Sequence, residues 1–267
     1  MTRPKKSLGQ NFLHDANIAR KIVRSMNLSA SDRVLEIGPG KGALTSLLLD
    51  ELQTLAAVEI DTVLAEELKR KFGKKLKLYH DDVLHLDLGS MAGAMGGNIR
   101  IVGNIPYNIT SAIIFWIIDA SSFVSDCTLM MQREVAQRLV AKPRTKDYGI
   151  LSVMAQYYST PSLLFTVSPA CFFPEPEVTS AVVALNFEKP NEKRAADDVL
   201  FRSVVRATFG KRRKTLRNGL RGMNIPAAVL SRLSANLDRR PEELSVAEFT
   251  TLADELADLE ITAPPLK

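Results

Sequence analysis

The pattern of this chain predicts an α/β fold, a doubly wound parallel sheet followed by a small all-helical C-terminal domain. Three observations predict it. Short apolar runs alternate with helical patterns from Arg33 to about Ala141, as strands joined by crossover helices do. The first of those runs, Val34-Leu35-Glu36-Ile37, enters a glycine turn, Gly38-Pro39-Gly40-Lys41-Gly42, and the chain then resumes a helical pattern. From Val199 onward Leu, Val and Phe recur at spacings of three and four, the period of a helix face.

The elements follow in order. Residues up to about Arg24 form a basic lead-in with helical character from Ala16. The glycine turn leads from the first strand into Ala43-Leu44-Thr45-Ser46-Leu47-Leu48-Leu49, and glycine there permits a tight turn and close approach to a ligand. Leu55-Ala56-Ala57-Val58 reads as the second strand and Lys77-Leu78-Tyr79-His80 as the third. Ile99-Arg100-Ile101-Val102-Gly103 is a short buried strand, and Cys127-Thr128-Leu129-Met130-Met131 a fifth, with a helix from Arg133 to Val140. Leu163 to Val167 and Ala181 to Phe187 are two more strands, joined by a long proline-bearing loop. The polar stretch from Glu188 to Lys193 contains Pro190 and reads as a linker. It divides the chain into residues 1–188 and a helical domain, 189–267. There are no internal repeats and no low-complexity tract.

Composition narrows the class. A chain of 267 residues can bury a full core, and a net charge of +5 with a pI near 9.2 suits a polyanionic partner. Cys127 and Cys171 lie in apolar surroundings and read as reduced, buried thiols. The charged start, Met1 to Ser7, leads into no apolar stretch and is not a signal peptide. The longest apolar run, Ala112 to Ile118, is too short to span a bilayer. A cytoplasmic protein without membrane contact is expected.

Asn104-Ile105-Pro106-Tyr107 follows the buried strand directly. An amide, a proline and an aromatic ring there make a pocket for a flat, amino-bearing base. The Asn104 side-chain oxygen can accept one N–H of an exocyclic amine, the carbonyl of Pro106 the other, and Tyr107 can stack on the ring. Proline restrains both itself and its neighbour, so the acceptors are in place before substrate arrives. A turn that happens to hold Asn and Pro is the plainer reading. Upstream, the glycine order is G-x-G-x-G, and Glu59 stands seventeen residues past Gly42, at the end of the second strand. An acid there is placed to accept ribose hydroxyls. Of Asp81 and Asp82 after the third strand, Asp82 is expected to accept an adenine amine and Asp81 to cap the next segment, although spacing alone does not choose.

Glycine loop, Glu59, Asp82 and Asn104-Ile105-Pro106-Tyr107, in that order, resemble a class I S-adenosylmethionine-dependent adenine-N6 methyltransferase with a Rossmann-like sheet. More narrowly, the chain resembles the ribosomal RNA adenine dimethyltransferase family, and within it the KsgA type. Leu8-Gly9-Gln10-Asn11-Phe12-Leu13, Phe172-Phe173-Pro174-Glu175-Pro176-Glu177-Val178-Thr179-Ser180 and Phe209 to Asn218 carry the same match across nearly the whole chain. The resemblance implies dimethylation of two adjacent adenosines in the 3′-end hairpin of small-subunit (16S) ribosomal RNA during ribosome biogenesis. It implies S-adenosylmethionine as cofactor with no metal, and the small-subunit RNA or the assembling subunit as partner of a monomer. It places Asn11, Leu13, Gly38, Gly40, Glu59, Asp82 and Asn104 on the cofactor. Asn104, Pro106 and Tyr107 stay on the base, with Phe172 as the ring on its other face and Phe173 as core. Glu36 would reach the cofactor's amino group through water, and Ile60 and Val83 would wall the adenine. Where the family commonly has a lysine, this chain has Glu177.

Lys211, Arg212, Arg213, Lys214, Arg217 and Arg221 crowd into eleven residues, well suited to phosphates, although most charge runs are only solvated faces. From Glu242 to Glu260 there are seven acidic residues and no basic one, a solvent-facing helix. The cluster from Lys69 to Lys77 follows Glu66 and Glu67 at salt-bridge spacing and reads as surface. His14, His80 and His85 are scattered and read as structural or surface residues. The alternatives are a large-subunit ribosomal RNA adenine-N6 methyltransferase of the antibiotic-resistance type, a DNA adenine methyltransferase, a nicotinamide dehydrogenase, and a non-catalytic ribosome assembly factor. The dehydrogenase leaves Asn104 to Tyr107 idle, and the DNA enzyme leaves the N-terminal and basic stretches unexplained.

Overall fold

The computed structural model describes residues 4–5, 8–188, 193–210 and 214–263. Contacts divide the chain into two compact units.

The first unit comprises residues up to Ala136 together with Pro161–Glu188. Its elements alternate as the pattern predicts: β1 Phe12–Leu13, α1 Ala16–Ser25, β2 Val34–Ile37, α2 Ala43–Glu51, β3 Leu55–Val58, α3 Thr62–Phe72, β4 Leu76–Tyr79, α4 Leu88–Met95, β5 Ile99–Asn104, α5 Thr110–Asp119 and β6 Val124–Gln132. The chain then leaves through α6, Arg133–Leu139, and α7, Ile150–Tyr158. It returns along β7 Thr160–Val167, β8 Phe172–Phe173 and β9 Ser180–Asn186.

Seven strands form one sheet in the order β4-β3-β2-β5-β6-β9-β7. The pairs from β4 to β6 are parallel, and β9 runs antiparallel to β6. The central strands β2 and β3 are buried along their whole length, because helices cover both faces. Strand order reverses at β2, which has β3 on one side and β5 on the other. A crevice opens beyond the carboxyl ends of strands at such a reversal. Gly103 keeps β5 close to β2 there, since a Cβ on it would lie 2.6 Å from the Ile37 carbonyl oxygen.

Some of the helices begin where a short acidic residue satisfies their free N–H groups. Asp15 caps α1 by accepting from the N–H groups of Asn17 and Ile18, and Asp61 caps α3 by accepting from Val63. Helix α1 turns Ala19, Ile22 and Val23 into the core.

One element is absent from the sequence reading. Residues expected as loop pair as a two-stranded antiparallel ladder, β1 with β8, in the register Phe12 opposite Phe173 and Leu13 opposite Phe172. It holds the N-terminal segment on the first unit.

The second unit comprises Gln137–Thr160 and the chain from Lys189 on. A division at 188/189 leaves 137–160 with the first domain; contacts group that stretch with the C-terminal helices. The reason is aromatic packing by α7. The Tyr157 ring stacks on Phe201 of α8, Asp198–Phe209, at 3.8 Å and 15°, and the Tyr158 hydroxyl donates to Asp198. Helices α9 Leu216–Arg221, α10 Ala227–Leu230 and α11 Val246–Asp258 complete the unit. Gly219 lets α9 lie against α8, since a Cβ there would fall 2.6 Å from Thr208 Cα. Most of the expected linker, residues 189–192, lies outside the described residues. Cys127 is buried and Cys171 half-buried, and both are free thiols.

Candidate functional site

A cavity of about 270 Å³ lies at the strand reversal. Its walls come from the N-terminal segment, the ends of β2 to β5 and the turns that follow them.

The glycine turn forms one wall. Gly38 and Gly40 have φ of +61° and +56° and both line the cavity. Such angles disfavour side chains, and a Cβ on Gly40 would press to 3.1 Å from the Phe12 ring. The Gly38 N–H donates to the Val58 carbonyl at 2.9 Å, tying the turn to the end of β3.

Glu59 is the next group, 5% exposed and in the lining. One carboxylate oxygen accepts from the Gly40 N–H at 3.1 Å, the other from the Asp61 N–H at 3.0 Å. Burial pushes the carboxyl pKa up, and the two N–H donors work against that push. A carboxylate has about four acceptor positions, so further donors can still reach it. Asp61, itself buried, accepts from the Lys5 ammonium at 2.9 Å and from the Gln10 amide at 3.1 Å. Burial opposes its charge, yet Lys5, Gln10 and the Val63 N–H hold its carboxyl below the usual range.

Asp81 and Asp82 both line the cavity, with Ile60 and Val83. The capping role falls to Asp82, not Asp81: its Oδ1 accepts from the Leu84 N–H at 3.0 Å. Asp81 instead accepts from the Asp82 N–H at 2.7 Å and lies 3.2 Å from His85. Glu36 does not reach the cavity. It is 1% exposed and accepts from the Thr45 hydroxyl at 2.7 Å, and burial, with the nearby Glu59 charge, pushes its carboxyl up to about 8.

The opposite wall is the Asn104–Tyr107 stretch, all four residues of which line the cavity. The Asn104 amide nitrogen donates to the Asn11 carbonyl at 2.8 Å. The amine end of that amide is therefore engaged, and its oxygen is the end that can accept. The expected role of the Pro106 carbonyl does not hold. That oxygen accepts from the Thr110 hydroxyl at 3.0 Å and the Ile109 N–H at 3.3 Å, where the chain turns into α5. Two bonds use both of its lone pairs. The Ile105 N–H donates to Met130 at 3.1 Å, and among the described residues no donor is directed at the Ile105 carbonyl. Tyr107 is braced from outside the turn, its hydroxyl 2.6 Å from Ser180 Oγ at the start of β9.

Two further expectations need correction. Phe172 is 1% exposed and packs in the core with Leu13, Ala19 and Ile22, whereas Phe173, expected in the core, is 60% exposed. Consecutive strand residues face opposite ways, and pairing with Leu13 fixes which one faces inward. Leu13 belongs to the same core cluster and does not line the cavity; Gln10, Asn11 and Phe12 do. Asp61 and the Ile105 carbonyl have no role in the sequence reading, and Ser180 figures there only within its motif. Only Asp61 carries a local signal, an acid just before a helical pattern.

Of the basic cluster, Lys211, Arg212 and Arg213 lie outside the described residues. Lys214 and Arg221 are exposed, and Arg217 pairs with Asp238 at 3.2 Å. The three histidines are exposed and line no part of the cavity. Among the described residues no group of His, Cys, Asp or Glu is arranged to hold a metal, and no helix is long and apolar enough to cross a membrane.

The chain is similar to known proteins over nearly its whole length. A family model described as ribosomal RNA adenine dimethylase matches residues 1–258. The chain is 46% identical to the ribosomal RNA small subunit methyltransferase A of Chlorobium phaeobacteroides, over 96% of the chain and 94% of that protein. It is 42% identical to the same-named protein of Pseudomonas fluorescens, over 96% and 95%. Among solved structures, a dimethyladenosine transferase from Plasmodium falciparum superposes with a TM-score of 0.77 at 24% identity, covering 94% of this chain and 98% of that one. The 23S rRNA methyltransferase ErmE superposes with a TM-score of 0.68 at 27% identity, covering 92% and 100%.

Proposed function

The chain belongs to the ribosomal RNA adenine dimethylase family, and we propose that it dimethylates the N6 amines of two adjacent adenosines in the 3′-end hairpin of 16S ribosomal RNA during ribosome biogenesis. The methyl donor is S-adenosylmethionine. The small-subunit target rests on relatives at 42% and 46% identity, against 27% for the large-subunit enzyme ErmE. The enzyme acts as a cytoplasmic monomer on the RNA or on the assembling subunit.

One observation carries the catalytic reading: the polarity of the Asn104 amide. With its nitrogen bonded to Asn11, its oxygen is the end that meets an amine.

The residues present fit the cofactor. Left-handed glycines leave room for its methionine portion, Glu59 keeps acceptor positions for a ribose diol, and Asp82 retains an oxygen for the adenine amine. Asn11 covers it from the N-terminal segment. When bound, S-adenosylmethionine supplies an electrophilic methyl group on a cationic sulfur.

The adenine N6 lone pair is delocalised into the ring, so the enzyme has to localise it. Asn104 Oδ1 and the Ile105 carbonyl accept the two amine hydrogens and hold the nitrogen towards tetrahedral geometry. Tyr107, braced by Ser180, stacks on the base. Rate then comes from positioning and oriented dipoles. No strong base is required, because the protonated amine formed by transfer loses its proton readily to water. After the first transfer one N–H remains, and a neutral amide tolerates the lost bond better than a buried carboxylate would. Asn104→Asp therefore impairs the second transfer more than the first; equal loss in both would refute this. Lys214, Arg217 and Arg221, with Lys211, Arg212 and Arg213, contact RNA phosphates.

The test is transfer of labelled methyl groups to undermethylated small subunits, with large subunits and DNA in parallel, and mapping of the modified base. N6,N6-dimethyladenosine in the 3′-end hairpin is expected. Label on large-subunit RNA or DNA overturns the substrate. No label, despite cofactor and subunit binding, makes the chain an assembly factor.

A further inference from the structure

The loop from Phe172 to Ser180 is tied to the cavity walls at both ends. At its start, Phe173 lies directly across the β1–β8 ladder from Phe12, whose ring lines the cavity. Residues directly opposite in an antiparallel pair share a face. At its end, Ser180 holds the Tyr107 hydroxyl. The intervening residues do not line the cavity themselves; joined to its walls at both ends, they form an outer rim beside it.

That rim has an unusual composition for an enzyme of a polyanion. Glu175 and Glu177 are exposed on it, so it repels phosphates. On either side of them it offers apolar surface, Phe173 at 60% and Val178 at 43% exposure. Two cations border it: Lys41 has its ammonium 4.9 Å from the centre of the Phe12 ring, and the exposed Arg133 donates its backbone N–H to the Thr179 carbonyl. An exposed ring on a surface that excludes phosphates is suited to the face of a base.

The proposed substrate supplies such a base. Two adjacent adenosines are modified, and while one occupies the Asn104 pocket its neighbour must sit beside the opening. Resting on that reading of the function, we infer that Phe173 is the stacking platform for the nucleotide flanking the target adenosine. Glu175 and Glu177 keep the backbone off the ring, which is what the acid at position 177 does in place of a phosphate-binding lysine.

The test is a cycle between protein and RNA. Methyl transfer to the target adenosine is measured on the small-subunit hairpin and on one with an abasic nucleotide at the flanking position, using the wild type, Phe173→Ala and Phe173→Trp. Stacking of one base predicts that Phe173→Ala raises KM for the intact hairpin about tenfold, with KM for S-adenosylmethionine unchanged. The abasic hairpin costs the wild type a similar factor and costs Phe173→Ala nothing more. Phe173→Trp restores the intact-hairpin value. Independent, multiplying losses, or an unimpaired Phe173→Ala, overturn the platform while leaving the function in place. A wild type that methylates neither hairpin and no small subunit overturns the function, and the platform with it.

Discussion

The wall proposed to hold the cofactor closes over short stretches of chain, while the wall proposed to hold the base hangs on distant ones. Glu59 receives N–H groups from residues 19 and 2 positions away. Asn104 is oriented by a residue 93 positions away, and Tyr107 by one 73 away. The first wall is a product of strand ends and a turn, and it forms whenever the sheet forms. The second requires the N-terminal segment and the start of β9 to be in place as well. Binding of the cofactor and alignment of the base should therefore fail separately.

Asn104→Ala gives the largest effect. Loss of one preorganised dipole at a reacting centre costs about 100- to 1000-fold in kcat, while S-adenosylmethionine binding, followed by calorimetry, weakens far less. Equal losses would mean that the walls are one unit. Glu59→Ala should do the converse. Charge-assisted bonds to a ribose diol lost together raise KM for S-adenosylmethionine by about 10- to 100-fold, with kcat at saturation nearly kept. Ser180→Ala and Tyr107→Phe each remove the same hydroxyl contact. Each lowers kcat/KM for RNA about fivefold, a typical single hydrogen bond, and the double variant does no worse than either. Additive losses would show that Ser180 does not act through Tyr107.

The smallest effect on catalysis belongs to Glu36→Gln, which touches stability instead. The Glu36 pKa is about 8 in the fold against an ordinary 4.5, so the native state holds a proton that the unfolded chain releases. Stability contributed by this group is present below about 4.5 and declines as pH rises towards 8, by about 1.4 kcal/mol per pH unit at most. Thermal melts of the glutamine variant should lack that slope.

The same contrast explains what could be read without coordinates. The glycine turn, Glu59 and the order of β2 to β6 follow from periodicity and turn chemistry, which are local. Phe172 and Phe173 are indistinguishable in composition, and only pairing with Leu13 and Phe12 decides which faces inward. The misassigned Pro106 carbonyl has a different cause. Thr110 and Ile109 claim it as α5 begins, and a motif read four residues at a time does not include them. A boundary at the polar stretch near 188 leaves residues 137–160 with the first domain, and it is Tyr157 against Phe201 that groups them with the C-terminal helices.

The bond from Asn104 to Asn11 also bears on damaged RNA. An amide turned by half a revolution would present its amine end, and the Asn11 carbonyl makes that turn costly. Hypoxanthine, the deamination product of adenine, carries a carbonyl oxygen where adenine carries its amine. Against a locked amide, two oxygens would confront each other with no hydrogen between them. On the proposed role of Asn104, an inosine at the target position should therefore fail to seat between the two acceptors, even where the phosphates of its hairpin are bound.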